Sequence, residues 1–354
     1  MKTISKSTRL KPLLLACMLI FSSCAADADE VDRATEAFEI QSAEGFTGFV
    51  VIVREGQAIF SRGSGIADIQ SGAPFTEFTQ FDIASVTKTI TGLLVAEEIA
   101  QGRLKPDTQL NAFFDVADTP LAAITIEQLL THTAGLVDVV GEDAEAIDLR
   151  DVVQRAAQTP LLYEPGEKYR YSNLGYSLLA AVLEQHSGMS YEAFAMRRLA
   201  RVNAVSTGYT NVFDSTNSVT LADGRNIGEV SWGGQYPGGN LIGNGGMVST
   251  PSDMVRWLSA YSEGRLVSAK ARDLARTPYV DETGEGISYY GYGLVIEEDD
   301  ALGTIYWHNG GSRHFNAHWR EFADKGVIII ALSDQPPPQA DRMVLALQGA
   351  MFED

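Results

Sequence analysis

Cysteine is almost absent from this 354-residue sequence. The two cysteines, Cys17 and Cys24, both lie near the N-terminus. The remaining chain therefore has no residues for a disulfide, a cysteine nucleophile or a cysteine metal site. Basic residues are also scarce, because 27 Lys and Arg against 46 Asp and Glu give a formal net charge of −19. Nucleic-acid binding depends on neutralising phosphates, and no lysine- or arginine-rich stripe is present, so no nucleic-acid partner is expected.

Two common hydrolase signatures are missing as well. No Gly-x-Ser-x-Gly elbow is present, which disfavours an α/β-hydrolase with a Ser-His-Asp triad. Only five histidines occur, and His308, His314 and His318 form a sparse group. No His-Glu-x-x-His pattern accompanies them, so a metal-dependent hydrolase is the weaker alternative. We expect no metal and no cofactor.

The first residues have the pattern of an export signal. A basic segment precedes a short apolar run at residues 13–21, and its charges are Lys2, Lys6, Arg9 and Lys11. The apolar run is shorter than the roughly 20 residues that span a bilayer. Ser22-Ser23-Cys24 follows and resembles a bacterial lipoprotein signal, although Phe21 stands where leucine is usual.

We therefore predict a signal peptide over residues 1–23 and lipidation of Cys24. The lipid would make the membrane a partner and place the protein in a bacterial cell envelope, at the periplasmic or outer face. Cys17 fits less well because it leaves almost no apolar run before it. Ordinary cleavage near Ala25 or Ala28, giving a secreted or periplasmic protein, is the alternative.

The first half of the remaining chain changes from β-rich to helical. A polar tether over 24–34 leads into a helix from about Arg33 to Ala43. Residues 49–53 and 58–60 flank Glu55-Gly56, which predicts a hairpin. The region 85–200 is mostly helical in pattern. Residues 89–100 have apolar side chains at helical spacing, the clearest helices are 126–131 and 174–184, and Gly135 and Gly188 are plausible helix stops. Residues 221–246, rich in glycine and asparagine, predict a long loop.

Strand character returns near the C-terminus. Short β runs occur at 292–296, 304–307, 315–320 and 327–332, and a helix is predicted from about 340 to 351. The fold class is therefore α/β (α+β), with one antiparallel sheet built from both termini and flanked by helices, plus an inserted, mainly helical region. We place the domain at 35–354, with a sheet lobe at about 35–80 and 247–354 and a helical lobe at about 81–246.

Ser85 and Lys88 are the strongest candidate catalytic pair. They stand three residues apart where a helical pattern begins, so their side chains can be neighbours on one helix face. A serine hydroxyl is a weak nucleophile and needs an adjacent base. A lysine can be that base when its pKa falls, and the positive end of a helix macrodipole favours this.

Two further clusters carry suitable chemistry. Tyr171-Ser172-Asn173 opens a helix, and a tyrosine can shuttle a proton if a nearby cation such as Lys88 lowers its pKa. Asn173 would hydrogen-bond a substrate carbonyl or the lysine. His308-Asn309-Gly310-Gly311 follows a strand, where glycines allow close backbone approach and leave an N–H group free to donate. His186-Ser187-Gly188 has a similar composition but reads as a helix end.

In this order, the three clusters resemble those of the penicillin-recognising serine hydrolases. The branch with class C β-lactamases, DD-peptidases, D-aminopeptidases and related esterases is the most similar. Three more stretches agree with that family, namely residues 129–136, 164–166 and 245–250. The resemblance extends from about residue 35 to the C-terminus and implies a β-lactamase/transpeptidase-like fold.

The resemblance also implies roles for individual residues. Ser85 would be the nucleophile and Lys88 its activating partner, while Tyr171 would protonate the leaving group and activate the deacylating water. Which of Lys88 and Tyr171 takes the first proton stays open. Asn173 would position the substrate amide, and the backbone N–H groups of Ser85 and Gly311 would form the oxyanion hole. His132 is expected to be structural.

The third motif departs from the family pattern. Typical β-lactamases have Lys-Thr-Gly there to hold a substrate carboxylate, whereas His308, Asn309 and Gly310 stand at these positions. We list the three as substrate-binding residues and expect a weaker anion site, with His308 charged near or below its ordinary pKa of about 6.5.

The predicted activity is that of an exported serine hydrolase that forms an acyl-enzyme. Its substrate would be a small molecule or short peptide: an amide, an ester, a D-amino-acid peptide or a β-lactam. A penicillin-binding or sensor-type relative that acylates with little turnover is the alternative.

Overall fold

The computed structural model of the protein describes residues 28–221, 223–234 and 236–353. The predicted signal peptide, Cys17 and Cys24 lie outside these described residues. In the described chain the helices are α1 (Ala28–Ala43), α2 (Thr87–Ala100), α3 (Ile126–Leu130), α4 (Leu149–Ala157), α5 (Asn173–Ser187), α6 (Tyr191–Leu199), α7 (Ile227–Ser231), α8 (Pro251–Ser262), α9 (Ala269–Ala275) and α10 (Gln339–Phe352). The strands are β1 (Gly48–Arg54), β2 (Gln57–Ser64), β3 (Ile66–Asp68), β4 (Ala73–Pro74), β5 (Phe81–Asp82), β6 (Val248–Ser249), β7 (Val280–Asp281), β8 (Ser288–Tyr290), β9 (Val295–Asp299), β10 (Gly303–Gly311), β11 (Asn316–Phe322) and β12 (Val327–Ser333).

The main sheet combines strands from both ends of the chain, which confirms the predicted fold class. Its order is β2-β1-β12-β11-β10-β9-β8-β7, and neighbouring strands are antiparallel. The predicted hairpin joins β1 to β2. Its turn residues Glu55 and Gly56 both have positive φ, 48° and 76°, which is the backbone that right-twisted strands favour in a two-residue turn.

Helices cover both faces of this sheet because its central strands are apolar on both sides. Val50 and Ile52 of β1 face a buried cluster that includes residues of α1 and α10. Val51 and Val53 face the larger cluster, which includes α2, α5 and α8. Alternate side chains of a strand point to opposite faces, so one uniformly apolar strand supplies both cores.

The inserted region begins and ends at one short ladder. Phe81 pairs with Ser249 and Asp82 with Val248, so β5 and β6 bring the two ends of the region together. Helix α2 follows β5 directly, and 12 of its 14 residues are buried. This burial places the start of α2, and with it Lys88, inside the molecule, whereas Ser85 just before the helix is half-buried.

Several boundaries differ from the sequence-based expectations. Helix α1 begins at Ala28, so the predicted tether 24–34 is helical from that residue on. Asp29 and Glu30 in its first turn suit the helix dipole, and Glu30 binds Arg54 at 2.7 Å. The region 85–200 is less helical than predicted, since long irregular connections separate α2 from α3 and α3 from α4.

Other differences arise from unrecognised local signals. The predicted loop 221–246 contains α7, whose Asn226 and Glu229 form a reciprocal capping box. Helix α3 ends at Leu130, before the stop predicted at Gly135, whereas Gly188 caps α5 with φ of 68° as predicted. Within the described residues, no helix is both long and apolar enough to cross a membrane.

Candidate active site

Ser85 lies in a single 3₁₀ turn, Ala84–Val86, immediately before α2. The turn is strained at Ala84, whose φ of 43° is unusual for a residue with a side chain. Asp82 holds it in place by accepting the Ala84 N–H at 2.7 Å, and Ser231 of α7 donates to the other carboxylate oxygen. Burial raises the pKa of the Asp82 carboxyl. The nucleophile is thus positioned by backbone geometry that a buried side chain supports.

Lys88 lies one helical turn later and is completely buried. Its Nζ is 3.1 Å from Ser85 Oγ, 2.6 Å from Asn173 Oδ1 and 2.7 Å from the carbonyl oxygen of Asn244. Burial lowers the pKa of the amine to about 7, although Asp138 and Asp143 act in the opposite direction. Burial therefore explains why Lys88 can serve as a base near neutral pH.

Tyr171 completes this group, but its electrostatics differ from the prediction. Its ring centre is 4.8 Å from Lys88 Nζ, and the phenol interacts with Ser85. Burial raises the pKa of Tyr171 and outweighs the contribution of Ser85. The expectation that Lys88 lowers this pKa is wrong, because the same burial that makes Lys88 neutral also disfavours a phenolate. Tyr171 is consequently a proton donor in the resting site.

The N-terminus of α5 presents both Tyr171 and Asn173. Ser172 caps the helix by accepting the Gly175 N–H at 3.1 Å, and its own N–H donates to His132 Nδ1 at 3.1 Å. His132 is buried against aromatic rings, with ring centres 4.4 Å from Tyr171 and 4.6 Å from Tyr290. The expected structural role of His132 is therefore consistent with its packing.

Asp138 determines the orientation of the Asn173 amide. Its Oδ1 accepts the Asn173 N–H at 2.9 Å and Nδ2 at 3.1 Å. Because the carboxylate requires the NH₂ side of the amide, Oδ1 must face Lys88. Asn173 therefore binds the lysine, one of the two predicted partners, and its NH₂ group is engaged by Asp138.

Strand β10 runs directly beside the turn that carries the nucleophile. A Cβ added to Gly310 would lie 2.3 Å from the carbonyl oxygen of Ile83 and 2.8 Å from the Ser85 nitrogen. Only glycine permits this approach of two backbones. Gly310, predicted to bind substrate, is thus required for β10 to pack against the turn that carries Ser85. Gly311, the predicted oxyanion residue, lies next to it at the end of the strand.

The two side chains before this glycine do not form the expected anion site. His308 is buried, with Nε2 3.0 Å from the Tyr290 hydroxyl and Nδ1 2.5 Å from the carbonyl oxygen of Asn309. Burial, followed by the charge of Lys88, lowers the pKa of His308 to about 3. The expectation that His308 becomes charged near pH 6.5 is therefore wrong, and the imidazole is neutral at physiological pH.

Asn309 points to the opposite face of the sheet. Its Nδ2 donates to Asp341 of α10 at 3.1 Å, and Asp341 also contacts His318 Nδ1 at 2.7 Å. The Asn309 side chain is therefore turned away from the nucleophile, because successive residues of a strand alternate between faces, although Asn309 does line a cavity beside Ser85. His308 and Gly310 share the face of the nucleophile, whereas Asn309 shares the face of α10.

Ser85 lies between two cavities, and Gly311 lines both. We call the first the polar cavity; it measures about 450 Å³ and includes Asn173, Asn244, Glu142, Asp143, Arg225 and Arg313. We call the second the strand-edge cavity; it measures about 320 Å³ and includes Tyr171, Glu282, Tyr290 and His308. The second exists because β9 stops pairing with β10 at Val295 and Trp307, while β10 continues to Gly311.

Three residues at the site were not found from the sequence. Asp138 follows the stretch 129–136, and Asn244 precedes the stretch 245–250, so proximity to these stretches was the available signal. Asn244 Nδ2 donates to Ser177 Oγ at 2.7 Å, which fixes the loop whose carbonyl binds Lys88. Tyr290 belongs to no motif. In the part of the chain that the structure describes, no cluster of three or more His, Cys, Asp or Glu could hold a metal ion.

Comparison with known proteins identifies the family of the chain. The Beta-lactamase family model matches residues 35–350. Penicillin-binding protein 4* of Bacillus subtilis (strain 168) is 29% identical over 320 residues, which cover 82% of this chain and 68% of that protein. Esterase EstB of Burkholderia gladioli is 28% identical over 301 residues, which cover 72% of this chain and 76% of that protein.

Solved structures share the fold. The penicillin binding protein from Bacillus halodurans superposes with a TM-score of 0.75 at 24% identity, covering 89% of this chain and 99% of that one. SurE, in a structure with D-Leu, gives a TM-score of 0.75 at 26% identity, covering 92% of this chain and 76% of that one. The chain therefore belongs to the β-lactamase family and is a serine hydrolase of that family.

Proposed function

We propose that the protein hydrolyses small esters or amides through an acyl-enzyme on Ser85, with Lys88 as the base. The observation that carries this proposal is the set of partners around Lys88 Nζ. Two of them, Asn173 Oδ1 and the Asn244 carbonyl oxygen, can only accept hydrogen bonds. A neutral amine has two N–H groups and one lone pair. When both N–H groups are donated, the lone pair is left for the remaining partner, the hydroxyl of Ser85.

This arrangement orders the proton transfers. Ser85 Oγ attacks the substrate carbonyl carbon and gives its proton to Lys88, while the backbone N–H groups of Ser85 and Gly311 bind the developing oxyanion. Each such donor contributes roughly 3–4 kcal/mol in acyl-transfer enzymes. As the bond to the leaving group breaks, the phenol of Tyr171 protonates the leaving group and then recovers a proton from the Lys88 ammonium. Water reverses the sequence and releases the acid.

The substrate class follows from the missing cation on β10. A neutral His308 and an Asn309 side chain that faces α10 leave the carboxylate of a β-lactam without the anchor expected in the third motif. We therefore propose ester, amide or D-amino-acid peptide substrates in preference to β-lactams. The relative named Esterase EstB supports this order, whereas the penicillin-binding relatives support the second candidate, acylation by β-lactams with little turnover.

The decisive test combines covalent labelling with turnover. The full chain should be labelled by a fluorophosphonate and should hydrolyse p-nitrophenyl esters, with an acyl adduct detected on Ser85 by intact mass and peptide mapping. Ser85→Ala should lose both activities, while Ser61→Ala, on the exposed edge of β2, should keep them. Full turnover by Ser85→Ala would refute the assignment. A stable adduct with penicillin and no ester turnover would support the second candidate.

We also propose that the protein is exported and anchored by a lipid on Cys24, on the support of the basic and apolar pattern of residues 2–24. Incorporation of labelled palmitate that Cys24→Ser abolishes is the expected result. Unlabelled, secreted protein would instead favour ordinary cleavage near Ala25 or Ala28.

A further inference from the structure

The two cavities beside Ser85 receive different parts of a substrate. Tyr171, which protonates the leaving group in the proposed function, lines the strand-edge cavity. Asn173, which binds Lys88, lines the polar cavity instead. If the proposed function holds, the leaving group therefore departs into the strand-edge cavity and the acyl group occupies the polar one. The chemistry of the strand-edge cavity then determines which leaving groups are preferred.

The strand-edge cavity contains a carboxylate in a fixed orientation. Glu282 follows β7, and its Oε1 accepts the Tyr169 hydroxyl at 2.6 Å while Oε2 accepts the Ser288 hydroxyl at 2.6 Å. A carboxylate has about four acceptor sites, so these two bonds leave capacity for a ligand. Because both oxygens are already held, a ligand would bind Glu282 without the entropic cost of ordering a flexible side chain.

No cation balances this carboxylate inside the cavity. Among the described residues that line it there is no lysine or arginine, and burial lowers the pKa of His308 to about 3, which leaves Glu282 without a cationic neighbour in the lining. The arginines near the nucleophile, Arg225 and Arg313, line the polar cavity. The polar cavity contains Glu142 and Asp143 as well as these two arginines, whereas no lysine or arginine lines the strand-edge cavity, which therefore disfavours an anionic group.

Aromatic rings add a second feature that suits a cation. Tyr171 and Tyr290 both line the cavity, with ring centres 6.5 Å apart and planes at 89°. The faces of aromatic rings attract ammonium groups, and desolvation strengthens this attraction. A positively charged group in this cavity would therefore lie near a carboxylate and near the parts of these rings that His132 and Lys88 do not cover.

We infer that Glu282 selects substrates whose leaving group carries a positive charge, such as an ammonium or quaternary ammonium group. This inference rests on the proposed function and specifies its substrate class. A site with a lysine in the third motif favours a negatively charged group. Here we expect the opposite preference, because the strand-edge cavity contains a carboxylate held in a fixed orientation.

A pair of matched esters tests the inference. Choline butyrate and 3,3-dimethylbutyl butyrate have leaving groups of nearly the same shape, but only choline is charged. For the wild-type full chain we expect kcat/KM to be at least tenfold higher for the choline ester, because its quaternary ammonium group is attracted by the Glu282 carboxylate and by aromatic rings, although it has no N–H to donate. Hydrolysis is followed by titration of the released acid at constant pH.

Variants assign the preference to one carboxylate. Glu282→Gln should reduce kcat/KM for the choline ester about tenfold or more and change that for the neutral ester less than twofold, which also shows that the variant is folded. Glu285→Gln is the matched control, because it removes the same charge from an exposed position in the same loop. It should behave as wild type, which separates local binding from attraction by the negative net charge.

The possible outcomes distinguish failure of the inference about Glu282 from failure of the proposed serine hydrolase function. Equal kcat/KM for the two esters in wild type, or an equal loss for both in Glu282→Gln, overturns the inference and leaves the serine hydrolase intact. Absence of fluorophosphonate labelling at Ser85 together with hydrolysis of neither ester overturns both. A preference that Glu285→Gln also removes assigns the effect to net charge and overturns the role of Glu282.

Discussion

Burial of a lysine that is neutral near pH 7 should appear in the pH dependence of stability. Lys88 binds a proton below pH 10.5 in an unfolded chain, but only below about 7 in the folded protein. Between these values the unfolded state holds more protons, so the free energy of unfolding rises with pH. A shift of this size corresponds to about 5 kcal/mol of lost stability at pH 6, at about 1.4 kcal/mol per pH unit.

Lys88→Met should remove the contribution of Lys88 to the pH dependence of the free energy of unfolding. The variant also loses the hydrogen bonds of Nζ and leaves the Asn173 and Asn244 oxygens without that donor, which costs about 1–3 kcal/mol for each. These losses do not depend on pH, so the difference between wild type and variant isolates the titration. From pH 6 to pH 9, wild type should gain roughly 2–3 kcal/mol relative to Lys88→Met.

The measurement is urea unfolding of the full chain at pH 6, 7, 8 and 9, followed by tryptophan fluorescence. Lys105→Met is the matched control, because it removes a lysine charge from the exposed surface instead of the interior. Its stability should follow that of wild type at each pH. A constant difference between wild type and Lys88→Met across this range would refute the reasoning, since Lys88 would then titrate alike in both states.

Substitution of two neighbouring residues on β10 should have different effects: Gly310→Ala should lower activity, and Asn309→Ala should lower stability. Gly310→Ala should lower kcat/KM for an ester about 10²–10³-fold, which is the effect of losing an oxyanion donor. The added Cβ would lie 2.3 Å from the Ile83 carbonyl oxygen and would push β10 away from Ser85. A kcat/KM within threefold of wild type would contradict this. Asn309→Ala should leave kcat and KM within about twofold but reduce the free energy of unfolding by about 0.5–1.5 kcal/mol, through loss of the bond to Asp341. A tenfold rise in KM with unchanged stability would show that Asn309 contacts substrate after all.

The parts of the structure that depend on local sequence were predictable. The turn at Glu55-Gly56 and the helical spacing of Ser85 and Lys88 are set by residues close in the chain. The Tyr171-Ser172-Asn173 cluster then added Tyr171 as a candidate proton shuttle, and the structure places it beside Lys88. The capping box that starts α7 was equally local, and Asn226 and Glu229 carried its signature, but a glycine-rich surrounding obscured it.

The electrostatic errors have one physical origin. The sequence shows which groups can titrate, but the pKa values of His308 and Tyr171 are controlled by burial, which depends on elements far away in the chain. The orientation of the Asn309 side chain also depends on an element that is distant in the chain. Alternation along a strand predicts that Asn309 and Gly310 face opposite sides, yet only the position of α10 determines which side faces the nucleophile.

The pairing of β1 with β12 also affects when the active site can fold during synthesis. Their ladder runs from Gly48 and Ser333 to Arg54 and Val327, so it closes a loop that contains most of the protein. During synthesis, Ser85 leaves the ribosome long before the strands that support it. Contacts so distant in sequence form late and slowly, because the entropy of loop closure must be overcome first. We therefore expect Ser85 to become an active nucleophile only after β12 has paired with β1.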